Sequence, residues 1–215
     1  MLFRSVQAAT HWDGLGHVSY DGKMWNGYPA ASVTEAGASM CGIEKITSMV
    51  SRGVLLDIAR LKGVDCLEGS YAITGDDLDA ACEMGKNTMA SGDIVLLRTG
   101  KGKFLAQTPV DKFGYMFPNS GPSLKSVEWF RRHDVAAVAN DTLTFEVYPS
   151  ENEAAQLPVH LLHLVDMGMT QGQNFVLDAL AEDCAADGQY SFLLDASPQP
   201  ILGGTGSMVN PVALK

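Results

Sequence analysis

The chain has 215 residues, of which 46% are hydrophobic and 19% are charged, and this composition supports one well-buried domain. Its formal net charge is −10 and its pI is about 4.8. That balance argues against nucleic acid and against an anionic membrane as partners, because either needs a basic face. No apolar run approaches the roughly 20 residues that span a bilayer. The four cysteines form neither a C-x-x-C pair nor a zinc-ribbon spacing, which predicts reduced thiols in a cytoplasmic protein.

The predicted elements alternate between helices and strands. Residues 11–30 are rich in glycine and aromatic residues and predict an irregular, functional loop. The elements that follow are a helix over 41–51, a strand over 54–58, a helix over 74–84, a strand over 93–99, a surface excursion over 101–121, a helix over 123–133, a strand over 135–138, helices over 158–167 and 177–186, and a strand over 190–194. We therefore predict an α/β or mixed α+β fold, with a single domain over residues 1–215 and residues 1–9 as a short leader.

Two of these predictions have a specific local signal. Ile43, Ile46 and Met49 lie at helical spacing, and Gly53 would end the helix that they predict. Thr74 and Asp77 form the pattern of a capping box, which predicts a helix beginning just after Thr74.

The densest cluster of chemically useful residues is His11-x-Asp13-x-x-x-His17. In an extended segment, His11 and Asp13 point to the same side and can converge on one ion. Gly14 and Gly16 would let the backbone turn so that His17 returns toward that point. Imidazole and carboxylate together suit Zn²⁺, Mn²⁺ or Fe²⁺ better than Ca²⁺ or Mg²⁺. The alternative is that these are loop residues satisfied by backbone hydrogen bonds.

Two further histidines lie three residues apart on a predicted helix. His160 and His163 could share a face of that helix, and the sequence leaves open which of them is functional and which belongs to the core.

These residues resemble the cyclase family of metal-dependent hydrolases, which includes bacterial kynurenine formamidases, isatin hydrolases and some lactone hydrolases. The usual motif of that family reads H-x-G-T-H-x-D-x-P-x-H, and residues 10–17 match its second half. Similar segments follow in order at residues 21–27, 55–57, 92–100, 141–146, 157–160, 172–174 and 206–211. The resemblance implies a compact mixed α+β domain of the swivelling β/β/α type, with a barrel-like mixed sheet flanked by helices. It also implies a homo-oligomer, either a dimer or a tetramer.

The departures from the family motif bear on the metal. The first histidine of the motif falls at Gln7, which argues against a two-metal centre. Many members carry a glutamate where this chain has Gln173, and in isatin hydrolases the corresponding glutamine binds a single manganese ion. The resemblance thus implies one divalent metal held by His11, Asp13 and Gln173, with Mn²⁺ favoured and Zn²⁺ as the other option.

The resemblance also implies roles for the remaining residues. His17 would act as general base or proton shuttle, and His160 as a catalytic partner that lies either behind the metal ligands or on the substrate side. Trp12 and Trp25 would help to line an aromatic substrate pocket, together with Phe113, Tyr115 and Phe117, unless these side chains belong to the core. The expected function is hydrolysis of cyclic or aryl amides, lactones or esters of small molecules. The alternatives are a dinuclear zinc arylformamidase and a catalytically weak metal- or ligand-binding fragment, because only nine residues precede Thr10 and relatives usually have more.

Overall fold

Eight strands form one mixed sheet that curls into a half-barrel flanked by helices. The computed structural model describes residues 7–103 and 117–215. The strands of the large sheet are β1 His11–Asp13, β4 Val50–Asp57, β6 Ile94–Arg98, β8 Ala137–Asn140, β9 Thr170–Gln173, β10 Ser191–Asp195, β11 Gly206–Met208 and β12 Val212–Leu214. Their order across the sheet is β11-β1-β9-β8-β6-β4-β10-β12. Two smaller sheets pair β2 Val33–Thr34 with β3 Gly37–Ala38, and β5 Ala72–Ile73 with β7 Gly121–Pro122.

The four central strands of the large sheet, β4, β6, β8 and β9, run parallel to one another. All residues of β6 and β8 are buried, as is typical of parallel strands covered on both faces. β1 and β10 flank this parallel block, and each runs antiparallel to both of its neighbours.

The helices lie along both faces of the sheet. They are α1 Ile58–Leu61, α2 Gly75–Met84, α3 Val127–Arg132, α4 Pro158–His160, which continues as the π-helical segment Leu161–Met167, and α5 Asp178–Asp187. The predicted capping box of α2 is confirmed, because Thr74 accepts from the backbone of Asp77 and the Asp77 carboxylate accepts from the backbone of Thr74. In the part of the chain that the structure describes, no helix is both long enough and apolar enough to cross a membrane.

Two apolar cores follow from the alternation of side chains along the strands. Leu56 and Leu97 point into one core, which packs beneath α2 and α3. Their neighbours Leu55 and Leu96 point into the other core, together with Trp12.

The predicted helix over 41–51 is wrong. Only Ile43–Lys45 forms a turn of 3₁₀-helix, and β4 already begins at Val50. Ile43 is buried in the second core, and Ile46 and Met49 pack against that core from an irregular segment and are partly buried. Gly53 does not end a helix but lies inside β4, where a Cβ atom would come within 2.4 Å of the Phe192 ring.

The two ends of the chain contain strands that the patterning did not predict. β11 and β12 lie in the Gly/Pro-rich tail, and β1 lies in the segment expected to be an irregular loop. The extended conformation expected for His11 and Asp13 is confirmed. Of the predicted surface excursion, residues 104–116 lie outside the described residues, and Phe113 and Tyr115 with them.

Candidate metal centre

Asp13 is the fully buried centre of a polar cluster on β1. Strand pairing explains why the cluster forms, since β1 lies between β9 and β11, with His11 directly opposite Gln173 on β9. Side chains alternate along a strand, so His11 and Asp13 share one face and Trp12 takes the other. The structure thereby brings together the three side chains that were expected to bind a metal.

The donor atoms of these three side chains face one another. His11 donates from Nδ1 to the carbonyl oxygen of Ala9 at 2.7 Å, which leaves its Nε2 as the atom with the lone pair. That Nε2 lies 3.8 Å from Oδ1 of Asp13. Gln173 donates from Nε2 to Oδ2 of Asp13 at 2.7 Å, while its Oε1 is buried without a hydrogen-bond partner in the described structure.

These residues fit a single divalent ion. Donors that each lie about 2.1 Å from one ion are about 3 to 4 Å from each other, and the spacing of His11 and Asp13 falls in that range. Oε1 of Gln173, which has no hydrogen-bond partner in the described structure, would supply the third donor if the amide rotated by half a turn and exchanged its nitrogen and oxygen. Within residues 7–103 and 117–215, no group of three or more His, Cys, Asp and Glu side chains is arranged to hold a metal. The set above contains two such side chains and an amide.

His17 and Gln7 close the exposed side of the cluster. Nε2 of His17 lies 3.8 Å from Oδ1 of Asp13. The amide of Gln7 donates to the same oxygen at 2.5 Å and lies 3.2 Å from Nδ1 of His17. The sequence identified Gln7 only as a departure from the family motif, so its place inside the site was missed. The alignment of Gln7 with the first histidine of the family motif was the signal that could have placed it in the site.

His160 approaches Asp13 from the opposite side. Its Nε2 lies 3.9 Å from Oδ2 of Asp13 and 3.4 Å from Nε2 of Gln173. Its Nδ1 lies 2.6 Å from Oε1 of Glu146, a buried carboxylate that the sequence analysis did not single out. His163 is not part of the cluster, because its ring packs edge-on against phenylalanine rings of the core.

The electrostatics of the cluster follow from burial and from the close charges. Burial by itself raises the pKa of Asp13, but the three surrounding histidines and the Gln173 amide together hold it below its ordinary value. Burial lowers the pKa of His17, and this effect outweighs the opposing effect of Asp13. At neutral pH the centre therefore combines a carboxylate anion with a neutral imidazole that can accept a proton.

Comparisons with known proteins identify the family of this fold. The model of the Cyclase family matches residues 2–147. A solved structure described as a novel cyclase is 38% identical, with a TM-score of 0.87, and the match covers 96% of this chain and 69% of that one. The chain belongs to the Cyclase family.

More distant structures share the fold of this Cyclase-family protein. An isatin hydrolase A from Labrenzia aggregata, bound to benzyl benzoate, is 17% identical with a TM-score of 0.66, covering 94% of this chain and 71% of its own. A structure described as a potential metal-dependent hydrolase with cyclase activity is 16% identical with a TM-score of 0.58, and the match covers 96% of this chain and 78% of that one. The comparison with curated proteins gave no match.

The two tryptophans expected in the substrate pocket of this Cyclase-family protein lie in different places. Trp12 is fully buried in the second core, donates from Nε1 to the carbonyl oxygen of Ala196 at 2.8 Å and packs edge-on against Phe175. The assignment of Trp12 to the pocket is corrected, because its ring lies on the face of β1 opposite His11 and Asp13. Trp25 is half-buried and packs over Gly168, so its role stays a prediction.

Proposed function

We propose that the protein is a metal-dependent hydrolase that uses water to open cyclic or aryl amide, lactone or ester bonds. The observation that carries this proposal is the fully buried carboxylate of Asp13, which faces the lone pair of His11, the amide of Gln173 and the ring of His17. The carboxylate accepts from the amides of Gln7 and Gln173, and a divalent cation would add the ionic partner that a buried charge favours. The distant isatin hydrolases and the metal-dependent hydrolase fold support the same chemistry.

The donor set favours one metal with open positions. His11, Asp13 and Gln173 supply one imidazole, one carboxylate and one neutral amide, so a divalent ion held by them keeps a net positive charge. Such an ion polarises a substrate carbonyl and lowers the pKa of a bound water. The mixed nitrogen and oxygen shell suits Mn²⁺ first and Zn²⁺ second. Gln7 stands where dinuclear members have a histidine, and this favours one ion over two.

The residues around the proposed metal ligands have separate roles in proton transfer and in shaping the site. His17 is neutral because burial lowers its pKa, so its ring nitrogen accepts the proton of the attacking water and passes it to the leaving group. The amide nitrogen of Gln7 contacts the His17 ring, at 3.2 Å from Nδ1 and 3.4 Å from Nε2. His160 faces the same carboxylate and completes the polar wall of the site. We propose that a small molecule is the substrate and that the protein acts as a homo-oligomer.

The test compares Asp13→Asn with the wild type and with Asp76→Asn, an exposed aspartate on α2 that serves as the matched control. Bound metal is measured after loading with Mn²⁺, and turnover is measured on an isatin-type cyclic amide, an aryl formamide and a lactone. We expect about one metal per chain in the wild type and the control, and loss of both metal and turnover in Asp13→Asn. The proposal fails if the loaded wild type binds no metal and opens none of these substrates. A ratio near two metals per chain, with turnover of formylkynurenine, would support the dinuclear formamidase instead.

A further inference from the structure

The backbone around Glu146 is fixed by several buried contacts. Asn119 donates from its side chain to the carbonyl oxygen of Glu146 at 2.9 Å, and Asn140 donates to that of Phe145 at 2.6 Å. Phe145 adopts a left-handed backbone with φ of 59°. Gly121 packs so closely against this turn that a Cβ atom on it would lie 2.0 Å from the carbonyl oxygen of Phe145. Two buried amides and a close glycine therefore fix the backbone from which the Glu146 side chain extends.

The carboxylate of Glu146 accepts three N–H groups from the start of the helix that carries His160. Its Oε2 accepts from the backbone of Val159 at 2.9 Å, and its Oε1 accepts from the backbone of His160 at 2.8 Å. The third group is the imidazole, whose Nδ1 lies 2.6 Å from the same Oε1. An ionised carboxylate can only accept, so Nδ1 of His160 carries the hydrogen.

The other nitrogen of His160 is thereby left with a lone pair, and it faces the metal centre. Nε2 of His160 lies 3.4 Å from Nε2 of Gln173. The amide nitrogen of Gln173 carries two hydrogens, and it donates one of them to Asp13 at 2.7 Å. In the metal-free protein the second hydrogen of this amide faces the lone pair of His160, so the contacts on both sides of the ring then require the same tautomer.

We propose that Glu146 is a positioning residue that fixes His160 as its Nδ1–H tautomer, so that Nε2 accepts a hydrogen bond inside the site from a substrate N–H group or from water. Asp, His and a reacting group are arranged in the same way in serine hydrolases, where loss of the carboxylate leaves the wrong tautomer. The part of the proposal that concerns turnover rests on the proposed hydrolase function, whereas the tautomer is a property of the protein without metal or substrate.

The tautomer can be read directly by long-range ¹H–¹⁵N correlation NMR of the metal-free, ¹⁵N-histidine-labelled protein, at a pH above the usual range of histidine titration. The chain has five histidines, and a His160→Asn spectrum assigns the pattern that disappears. We expect Nδ1 of His160 to resonate as a protonated nitrogen and Nε2 as an unprotonated one. An Nε2–H pattern in the wild type overturns the proposal even if every Glu146 variant fails to fold.

The variant Glu146→Gln tests the role of the carboxylate, with Glu153→Gln on the exposed surface as the matched control. Glutamine can accept from only one oxygen, so it cannot satisfy all three donors. We expect mixed tautomers in the NMR spectrum and a kcat lower by about 10- to 100-fold, with metal content and KM close to those of the wild type. Wild-type tautomer and kcat in Glu146→Gln would overturn the positioning role. If the wild type itself turns over no substrate, the proposed function fails while the tautomer measurement still stands.

Discussion

Two glutamines occupy positions where a charged or metal-binding side chain is usual in this family. Gln7 donates to one oxygen of Asp13 and Gln173 donates to the other, so the carboxylate is satisfied by amide N–H groups when no cation is present. Neutral donors avoid the repulsion that a second carboxylate would cause beside Asp13. Both carboxylate oxygens therefore have a hydrogen-bond donor without metal, and a cation could replace the Gln173 amide hydrogen once the amide turns its oxygen inward.

His17→Gln separates proton transfer from metal binding. The proposed ligands His11, Asp13 and Gln173 are unchanged in this variant, so we expect metal content to stay at the wild-type level. Turnover should fall by about 10²-fold or more, as is typical for loss of a general base. The measurement is metal content together with kcat, and His133→Gln is the control. Loss of metal from His17→Gln would show that His17 is itself a ligand.

The candidate site could be predicted from the sequence only where its residues fall in a motif. His11, Asp13 and His17 were visible because they lie close together in the chain, and Gln173 because it stands in a segment that resembles the family. Glu146 acts through a contact with a helix 14 positions further along, and no local pattern reveals that contact. Trp12 was misplaced because an aromatic residue between two polar site residues looks the same whether its ring faces a pocket or the core.

The prediction of helices and strands from the sequence has a similar limit. The central strands β4 and β6 were predicted because they are continuous apolar runs, and α2 because its capping box is local. The three-residue strands β1, β11 and β12 gain their hydrogen bonds only from partners far along the chain, so their own composition does not predict them. The false helix over 41–51 arose because irregular backbone can also bury apolar residues at helical spacing.

At the scale of elements, Gly53→Ala tests the packing of β4 against β10. The added methyl group would lie 2.4 Å from the Phe192 ring and 2.9 Å from Cβ of Leu194, both in a tightly packed core. We expect the free energy of unfolding to fall by about 1 to 3 kcal/mol, as for other overpacked cores. Gly75→Ala is the control, because a Cβ atom there meets nothing closer than 3.5 Å. Urea denaturation measures both variants, and equal stability of the two would contradict the close packing.

At the scale of the whole molecule, His163 makes stability depend on pH. Burial lowers the pKa of His163 to about 3, with a further contribution from His160. As pH falls below about 6.5, the unfolded chain takes up a proton at this residue and the folded chain does not, so the folded state loses stability. The loss from this one group is about 1.4 kcal/mol per pH unit, or about 2 kcal/mol between pH 6.5 and pH 5.

The measurement is the free energy of unfolding as a function of pH for the wild type, His163→Leu and the control His133→Leu. We expect His163→Leu to have a shallower slope between pH 6.5 and pH 5, because it removes the group that protonates only on unfolding. Parallel slopes in all three proteins would mean that His163 is protonated in the folded state.

The position of β1 between β9 and β11 determines when the site can form during folding. The strand partners of His11 and Asp13 lie at residues 171–173 and 206–208, far from β1 along the chain. Contacts so distant along the chain form slowly and late in folding. The polar cluster around Asp13 is therefore complete only after β9 and β11 have joined β1. In the proposed hydrolase, a metal would therefore bind to a sheet that has already formed and would not guide its formation.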